Sequence, residues 1–192
     1  ASLGLAMAES RKTYNLSPVE VERNLTPRTR AILAVHLTGN ACDLRGLREI
    51  ADRHHIFLIE DCAQAHGCTY DSRSVGTFGH VGCFSFNEFK HISCGDGGIC
   101  VTNDPALARR LRLASDKCSA RSPGGTVREP TFLANNYRMT ELQGAVALAQ
   151  LPKLPSIVAR RRKWCTALSE QLAGVAGVTL PTASEGCDPS WW

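Results

Sequence analysis

The stretch IFLIED, residues 56–61, decides the fold class of this sequence, because four apolar residues lead without interruption into two carboxylates. A short apolar run without polar alternation is typical of a strand that is buried in a parallel sheet. Ligands of parallel α/β sheets bind beyond the carboxyl ends of the strands, so Asp61 lies where a functional side chain is expected. A helix N-cap or a surface acid is the alternative role that this position leaves open.

Apolar runs and helical patterns alternate on both sides of this stretch. Residues 31–37 predict a second buried strand, and residues 43–55 predict a helix because their apolar side chains recur at helical spacing. The other predicted elements are a helix at 15–25, strands at 82–86 and 97–103, and helices at 104–115, 140–151 and 152–172. This alternation predicts an α/β fold of three layers (αβα), in which helices lie on both sides of a mostly parallel sheet.

Two segments do not fit the alternation. Residues 116–139 are rich in turn formers and predict a long loop, and loops of this length are often functional. The helix that ends near residue 172 is followed by GVTLP (residues 177–181), which predicts a strand that opens a second domain. Because the chain lacks an initiator methionine and stops at two adjacent tryptophans, we expect a piece of a longer protein.

Composition argues against several classes of protein. The 192 residues carry 22 basic and 18 acidic side chains, whose signs are interleaved. The densest basic run, ARRRK at 159–163, has no aromatic platform for stacking bases, so we expect a solvated helix face and no nucleic-acid partner. No apolar run approaches the ~20 residues of a membrane span, so no membrane partner is expected either.

The nine cysteines form no C-x-x-C pair and no Cys/His cluster with zinc spacing. Their number is odd, and several lie in apolar runs, where cysteine behaves as a small hydrophobic residue. We therefore expect free thiols in a reducing cytoplasm, with neither a disulfide framework nor a metal site.

The stretch FSFNEFKHISCGDGG, residues 84–98, places Lys90 between an aromatic run and a glycine cluster. A lysine near a strand end commonly reaches solvent or pairs with an acid such as Glu88 or Asp61. Pyridoxal phosphate (PLP) instead needs a lysine for its aldehyde, a carboxylate at its ring nitrogen and polar donors for its phosphate. Lys90, Asp61 and Ser85 match these three needs. The glycines lack the spacing of a nucleotide-binding loop.

Three segments resemble a known family. IEDCAQAHG (59–67), GCFSFNEFKHISCGDGGICVTND (82–104) and NYRMTELQGAVALAQL (136–151) closely resemble the DegT/DnrJ/EryC1/StrS aminotransferases, and the resemblance extends from about residue 14 to residue 192. These are PLP enzymes of the aspartate aminotransferase fold (fold type I), and many aminate nucleotide-linked keto sugars. The resemblance implies the same cofactor and activity here, with glutamate or glutamine as the amino donor.

The resemblance also implies roles by position. Lys90 matches the lysine that holds PLP as a Schiff base and shuttles the proton, and Asp61 matches the partner of the ring nitrogen. Gln64 matches a residue that packs against the ring, and Ser85 matches a phosphate-binding serine. Asn136 lies in a segment that reaches the cofactor phosphate of the partner subunit, which implies a homodimer with shared active sites.

Two residues close in sequence to Asn136 and Lys90 are weaker candidates for a role in the site. Arg138 is a second candidate for the contact expected of Asn136, and His91 is expected to make a structural hydrogen bond and not to act in catalysis. The sugar dehydratases of the family carry a histidine in place of the lysine, so Lys90 favours transamination over dehydration.

The resemblance implies that residues 1–174 are the central part of the large PLP-binding domain and that residues 175–192 begin a truncated small domain. The N-terminal portion that grips the phosphate in the family is expected to be missing. We therefore expect weak cofactor binding and little or no turnover from this chain alone. Two alternatives stay open: a non-sugar acceptor, such as a cyclitol or an aminobenzoate-type precursor, or an inactive fragment that only folds or associates.

Overall fold

The structure, a computed structural model, describes residues 12–122, 125–128 and 132–192. Its helices are α1 (Pro18–Asn24), α2 (Leu44–Arg53), α3 (Pro105–Ser115), α4 (Glu141–Gln150) and α5 (Leu154–Leu172). Its strands are β1 (Ala31–Val35), β2 (Phe57–Asp61), β3 (Thr69–Tyr70), β4 (Arg73–Ser74), β5 (Val81–Ser85), β6 (Gly98–Val101), β7 (Ser119–Ser122), β8 (Gly125–Arg128) and β9 (Cys187–Asp188). Within these described ranges, no helix has the length and apolar character needed to cross a membrane.

Four strands form the central sheet in the order β1-β2-β5-β6. The first three run parallel, and β6 is antiparallel to β5. Val35 of β1 faces Asp61 of β2, which in turn faces Cys83 of β5, so the carboxyl ends of three neighbouring strands meet at one edge. The prediction of an α/β fold with a mostly parallel sheet is confirmed.

One face of this sheet packs against the first two helices. Leu58 of β2 joins Leu47 and Ile50 of α2 in a buried cluster, which removes apolar surface from water and holds the helix on the sheet. In the described part of the chain the opposite face is open, with Leu33 54% and Phe57 49% exposed. Residues of β1 thus alternate between exposed and buried, and the expectation that its apolar run is covered on both faces is not met there.

Three helices begin where the sequence predicts. The Asp43 side chain accepts a hydrogen bond from the Gly46 N–H at the start of α2, and Asp104 accepts from two N–H groups of the first turn of α3. Thr140 and Gln143 form a reciprocal capping box at the start of α4. These caps satisfy N–H groups that have no partner within the helix.

Two predictions about the second half of the chain are wrong. Residues 116–139 are not an uninterrupted loop, because β7 and β8 form a hairpin in which Ser119 faces Arg128. Its strands, SARS and GTVR, contain almost no apolar residues, so apolar periodicity does not reveal them. Residues 177–181 form no strand, and the short β9 pairs with β3 instead.

The last residues of the chain fold back onto the carboxyl edge of the sheet. The backbone N–H groups of Ser190 and Trp192 donate to the carbonyl oxygens of Gly39 and Thr38, at 2.9 and 2.8 Å. The Arg162 Nε of α5 donates to the carbonyl oxygen of Pro189 at 2.8 Å. The domain boundary near residue 174 stays a prediction, and the end of the chain lies directly against the edge that carries the candidate site.

Candidate active site

Three of the predicted site residues, Asp61, Ser85 and Lys90, lie at the carboxyl edge of the parallel strands. Asp61 ends β2, Ser85 ends β5, and Asp61 faces Cys83 across the two strands. Register partners share a face of a sheet, as do alternate residues of one strand, so Asp61 and Ser85 project on the same face. Lys90 follows in the loop that connects β5 to β6.

The carboxylate of Asp61 has one oxygen engaged and one available. Its Oδ1 accepts from the Ala63 N–H at 3.0 Å and closes the turn after β2. Turns and not a helix follow Asp61, so the alternative role of a helix N-cap is not adopted. Its Oδ2 has no hydrogen-bond partner among the described residues, and the side chain is half-buried. This turn therefore leaves one oxygen that can accept a hydrogen bond from a ligand.

Glu60 belongs to a buried network that the sequence did not reveal. Its side chain is inaccessible to solvent, and its carboxylate accepts from the N–H groups of Gly76 at 2.6 Å, Phe78 at 2.8 Å and Gly79 at 2.6 Å. Burial opposes ionisation of Glu60, but these donors and His36 outweigh it, and its pKa lies below the ordinary glutamate value. The ionised carboxylate ties the end of β2 to the turn before β5.

His36 extends this network to the end of β1. Its Nδ1 accepts from the Cys42 N–H at 3.1 Å, so its Nε2 carries the proton and donates to the Glu60 carboxylate at 3.1 Å. One ligand atom each of His36, Glu60 and Cys62 lies within 4.8 Å of the others, as in a metal site. Because burial raises the pKa of the Cys62 thiol and the other two groups are hydrogen-bonded, a network of hydrogen bonds accounts for the cluster.

Period-2 alternation groups Glu60 with Leu58 on one face of β2, but the uniformly apolar run IFLI (residues 56–59) does not show which face is covered. Leu58 is completely buried, and Glu60, two residues later, shares its face. An acid on a buried face needs several donors, and glycine-rich turns such as the one from residue 76 to residue 79 expose their N–H groups.

Gln64 joins the turns that follow β1 and β2. Its Oε1 accepts from the Thr38 N–H at 2.7 Å. Thr38 has a φ of 56°, in the left-handed region that a residue other than glycine adopts only when its surroundings hold it there. The structure thus places Gln64 at the same edge as Asp61, and its contact with a cofactor ring stays a prediction.

The loop that carries Lys90 is shaped by its own backbone. The Ser85 Oγ accepts from the Asn87 N–H at 3.2 Å, and the Lys90 N–H donates to the Asn87 carbonyl oxygen at 3.0 Å. The Cys94 N–H donates to the Phe86 carbonyl oxygen at 3.1 Å and closes the loop near β6. Because Ser85 uses its oxygen only as an acceptor here, its hydroxyl proton can still be donated to an anion.

The Lys90 side chain lies against an aromatic ring. Its Nζ is 4.7 Å from the centroid of the Trp192 ring, and the Trp192 Nε1 donates to the Phe89 carbonyl oxygen at 2.9 Å. Within the part of the chain that the structure describes, Lys90 pairs with neither Glu88 nor Asp61. Its ammonium is held by a cation–π contact, and no sequence signal pointed to a partner 102 positions away.

Two buried histidines lie beside the lysine. His66 and His91 are 3% and 4% exposed, their ring centroids are 5.7 Å apart, and their ring nitrogens have no hydrogen-bond partner among the described residues. The backbone of Ser190 and Trp191 nevertheless lies close enough to the His91 ring to raise its pKa against the effect of burial, so the structural hydrogen bond expected of His91 stays a prediction. Burial first, then His91 and Lys90, lowers the pKa of His66 to about 4, and burial followed by Arg161 lowers the pKa of His91. Both rings stay neutral near pH 7.

Asn136 and Arg138 contact Asp116 and each other in the described part of the chain. Asn136 is exposed, forms a β-bridge with Asp116, and accepts from the Arg138 N–H at 3.4 Å. The Arg138 Nε is 2.8 Å from a carboxylate oxygen of Asp116. No hydrogen bond in the described ranges joins Asn136 to the other four site residues, so its expected contact, with a partner subunit, stays a prediction.

The side chains at the carboxyl edge fit PLP. Asp61 offers a free carboxylate oxygen to a protonated ring nitrogen, Ser85 offers a hydroxyl to a phosphate, and the Lys90 amine is not engaged by an acid in the described residues. This is the set of donors and acceptors that the cofactor requires from its protein.

Comparison with known proteins agrees with this geometry. Residues 7–192 match the sequence model of the DegT/DnrJ/EryC1/StrS aminotransferase family. A dTDP-3-amino-3,4,6-trideoxy-alpha-D-glucose transaminase of Streptomyces venezuelae is 41% identical over 177 residues, which are 92% of this chain and 45% of the relative. An L-glutamine:2-deoxy-scyllo-inosose aminotransferase of Streptomyces kanamyceticus is 43% identical over 157 residues, which are 78% of this chain and 37% of the relative.

A solved structure has the same fold. The crystal structure of DesV from S. venezuelae superposes with a TM-score of 0.88 at 40% sequence identity, covering 95% of this chain and 48% of that protein. The chain thus spans about half the length, or less, of the relatives that it matches. The family expected from the sequence motifs is confirmed, and the chain belongs to the DegT/DnrJ/EryC1/StrS aminotransferase family.

Proposed function

We propose that this protein is a PLP-dependent aminotransferase that transfers the amino group of an amino acid to a keto group of a nucleotide-linked sugar. One observation carries the proposal: in a chain of this family, Asp61 and the Lys90 loop follow adjacent parallel strands at one edge of the sheet. The name of the S. venezuelae relative, a transaminase of a dTDP-linked amino sugar, supports the substrate class.

Four residues would hold the cofactor. Lys90 would bind its aldehyde carbon through Nζ, and Asp61 would accept a hydrogen bond from its ring nitrogen. Ser85 would donate its hydroxyl proton to the phosphate, and Gln64 would pack beside the ring. When bound, PLP supplies an electron-poor ring that stabilises negative charge at the carbon next to the transferred nitrogen.

The residues of this chain then divide two tasks. Asp61 would accept the hydrogen bond of the protonated ring nitrogen, which would maintain the electron-poor character of the ring. Lys90, freed from the aldehyde carbon of the cofactor, would take a proton at Nζ from the substrate carbon that bears the nitrogen. It would return a proton to the carbon on the other side of that nitrogen, as a single general acid–base group. The contact between its Nζ and the Trp192 ring would hold the amine until the cofactor binds.

Asn136 completes the proposed site in a homodimer. Its exposed side chain is available to a second subunit, where it would donate to the cofactor phosphate. Arg138 is the second candidate, although its guanidinium already pairs with Asp116.

A cyclitol is the second candidate acceptor. It is favoured by the 43% identical relative that is named as an aminotransferase of 2-deoxy-scyllo-inosose, with L-glutamine as donor. Assays of the full-length protein with L-glutamate or L-glutamine, against nucleotide-linked keto sugars and keto cyclitols in parallel, would separate the two acceptor classes. We expect amination of a nucleotide-linked keto sugar; product from the cyclitol alone would replace the proposed acceptor.

Borohydride trapping tests the role of Lys90. The chain is mixed with PLP, reduced, digested and mapped by mass spectrometry, beside Lys90→Ala and the control Lys163→Ala, which removes an exposed lysine of α5. We expect the phosphopyridoxyl adduct mainly on Lys90, lost in Lys90→Ala and kept in Lys163→Ala. Label spread over surface lysines in both this chain and a full-length protein that contains it would overturn the proposal.

A further inference from the structure

Two cysteines face each other at the base of the loop that carries Lys90. Cys83 of β5 and Cys100 of β6 are register partners, and their Sγ atoms are 3.8 Å apart. Their strands enter and leave the Lys90 loop, and Cys83 also faces Asp61 on its other side. The amino transfer proposed above makes no use of these two thiols.

The position of the pair in the β-ladder is suited to a disulfide. The Phe86 N–H donates to the Gly97 carbonyl oxygen at 2.8 Å, which marks these two residues as a hydrogen-bonded pair. Pairs alternate along an antiparallel ladder, so Cys83 and Cys100, three positions away, are a non-hydrogen-bonded pair. Cα atoms of such pairs are about 4.5 Å apart. That spacing lies within the range of about 4.4–6.8 Å found for disulfides.

The two thiols differ in reactivity. Cys100 is exposed, and Cys83 is half-buried. The hydrogen bond between them lowers the pKa of Cys100 to about 6, against an opposing effect of burial. The same hydrogen bond, followed by burial, raises the pKa of Cys83. Cys100 is thus the thiolate that reacts first, and Cys83 is the resolving thiol.

We propose that Cys83 and Cys100 form a dithiol site that small disulfides, such as oxidised glutathione, convert to an intramolecular disulfide. The Cys100 thiolate attacks one sulfur of glutathione disulfide, forming a mixed disulfide and releasing one glutathione thiolate. Cys83 then gives up its proton and attacks the Cys100 Sγ, which releases the second glutathione. Two protein thiols are oxidised, and one glutathione disulfide is reduced to two thiols.

The new bond would close the base of the loop from residue 86 to residue 97. A covalent link between its two strands restricts the unfolded chain, so the oxidised protein should melt at a higher temperature than the reduced one. This outcome does not depend on amino transfer, because it is read from thiol content, linkage and melting.

A second thiol pair provides an internal comparison. The Sγ atoms of Cys68 and Cys187 are 3.7 Å apart, but Cys68 is 1% exposed, and a bond there would join β9 to the segment before β3. If the distance between the two Sγ atoms alone determined disulfide formation, both pairs would oxidise together. The thiol with the lowered pKa in that pair is Cys187, which is half-buried, whereas Cys100 is exposed. Cys83 and Cys100 are also directly opposite in their ladder, so we expect Cys83–Cys100 to oxidise first.

The test is a redox titration of the chain with mixtures of reduced and oxidised glutathione. Samples are quenched with an alkylating agent, digested without reduction and mapped by mass spectrometry, beside Cys100→Ser, Cys83→Ser and the control Cys165→Ser. We expect a peptide linked through Cys83 and Cys100 in the unaltered chain and in Cys165→Ser, and a persistent mixed disulfide on Cys100 in Cys83→Ser.

Three results would overturn the proposal. They are alkylation of both thiols under oxidising conditions, a persistent mixed disulfide on Cys100 in the unaltered chain, and a Cys68–Cys187 link that forms first. Melting of Cys100→Ser and of the reduced chain provides the reference for the shift expected on oxidation.

Discussion

Replacement of Glu60 by glutamine tests the network that holds the edge of the sheet. The buried carboxylate accepts four hydrogen bonds, of which two reach Oε1 (Phe78 and Gly79) and two reach Oε2 (Gly76 and His36). A glutamine amide has the same shape but only one acceptor oxygen. Whichever way it is turned, its NH₂ group faces two donors that have no other partner in this network.

The magnitude follows from this count. Hydrogen bonds to charged groups contribute about 1.5–3 kcal/mol each, so the loss of two lowers the free energy of unfolding by about 3–6 kcal/mol. Domains are stable by only about 5–15 kcal/mol in total. The variant should therefore be strongly destabilised even though no volume is removed.

Urea unfolding followed by circular dichroism measures this loss. Glu49→Gln, at an exposed position of the neighbouring helix α2, is the matched control and should change stability by about 0.5 kcal/mol or less. Glu60→Gln should unfold at a much lower urea concentration than the control. Equal midpoints for the two variants would refute the reasoning, because the carboxylate would then do no more than a neutral amide.

Other consequences can be measured on the same chain. Gly76 has a φ of 84°, and a Cβ there would lie 2.7 Å from an aromatic ring, so Gly76→Ala should lose about 1–3 kcal/mol in urea unfolding. Gly144→Ala, in α4 with no atom within 4 Å of the new Cβ, should gain about 0.5–1 kcal/mol. In the native chain His66 has a pKa of about 4, whereas in the unfolded chain it has the ordinary value of 6.5. Between these two pH values the unfolded chain therefore binds a proton that the native chain does not. Stability should thus fall as the pH drops through that interval, and His66→Phe should flatten this part of the profile. Trp192→Ala removes the ring beside Lys90, so acetic anhydride should label Lys90 several-fold faster relative to other lysines, as measured by mass spectrometry.

Local pattern predicted the elements that bury apolar residues at regular spacing. IFLIED became β2, and Asp43 and Asp104 cap helices at the starts of the ranges predicted for them. The hairpin of β7 and β8 was missed because pairing between polar strands has no apolar period. The strand expected at residues 177–181 failed because a short apolar run does not specify a pairing partner.

Some features of the candidate site could likewise be predicted from the sequence, and others could not. Asp61 and Ser85 could be placed from the sequence because strand ends of a parallel sheet meet at one edge. The contact between Lys90 and Trp192 could not, because it joins distant parts of the chain through a tail that folds back. Nor does the sequence show which of two adjacent acids turns inward, since this depends on which face of β2 the helix α2 covers.

The contrast between Glu60 and Asp61 explains how the end of β2 can be tied into the interior and still present a carboxylate on the open face. Successive residues of a strand point to opposite faces, so the same two positions supply one carboxylate to the interior and one to the open face. The Glu60 carboxylate accepts hydrogen bonds from His36, which follows β1, and from Gly76, in the turn before β5. These bonds fix the ends of β1 and β2 and the start of β5 relative to one another. Asp61 needs only one of its oxygens for its own turn, and the other has no hydrogen-bond partner among the described residues, as the proposed contact with a cofactor requires. Neutralising Glu60 should therefore shift the position of Asp61, although Asp61 itself is unchanged. Neutralising Asp61 should leave the strand ends in place.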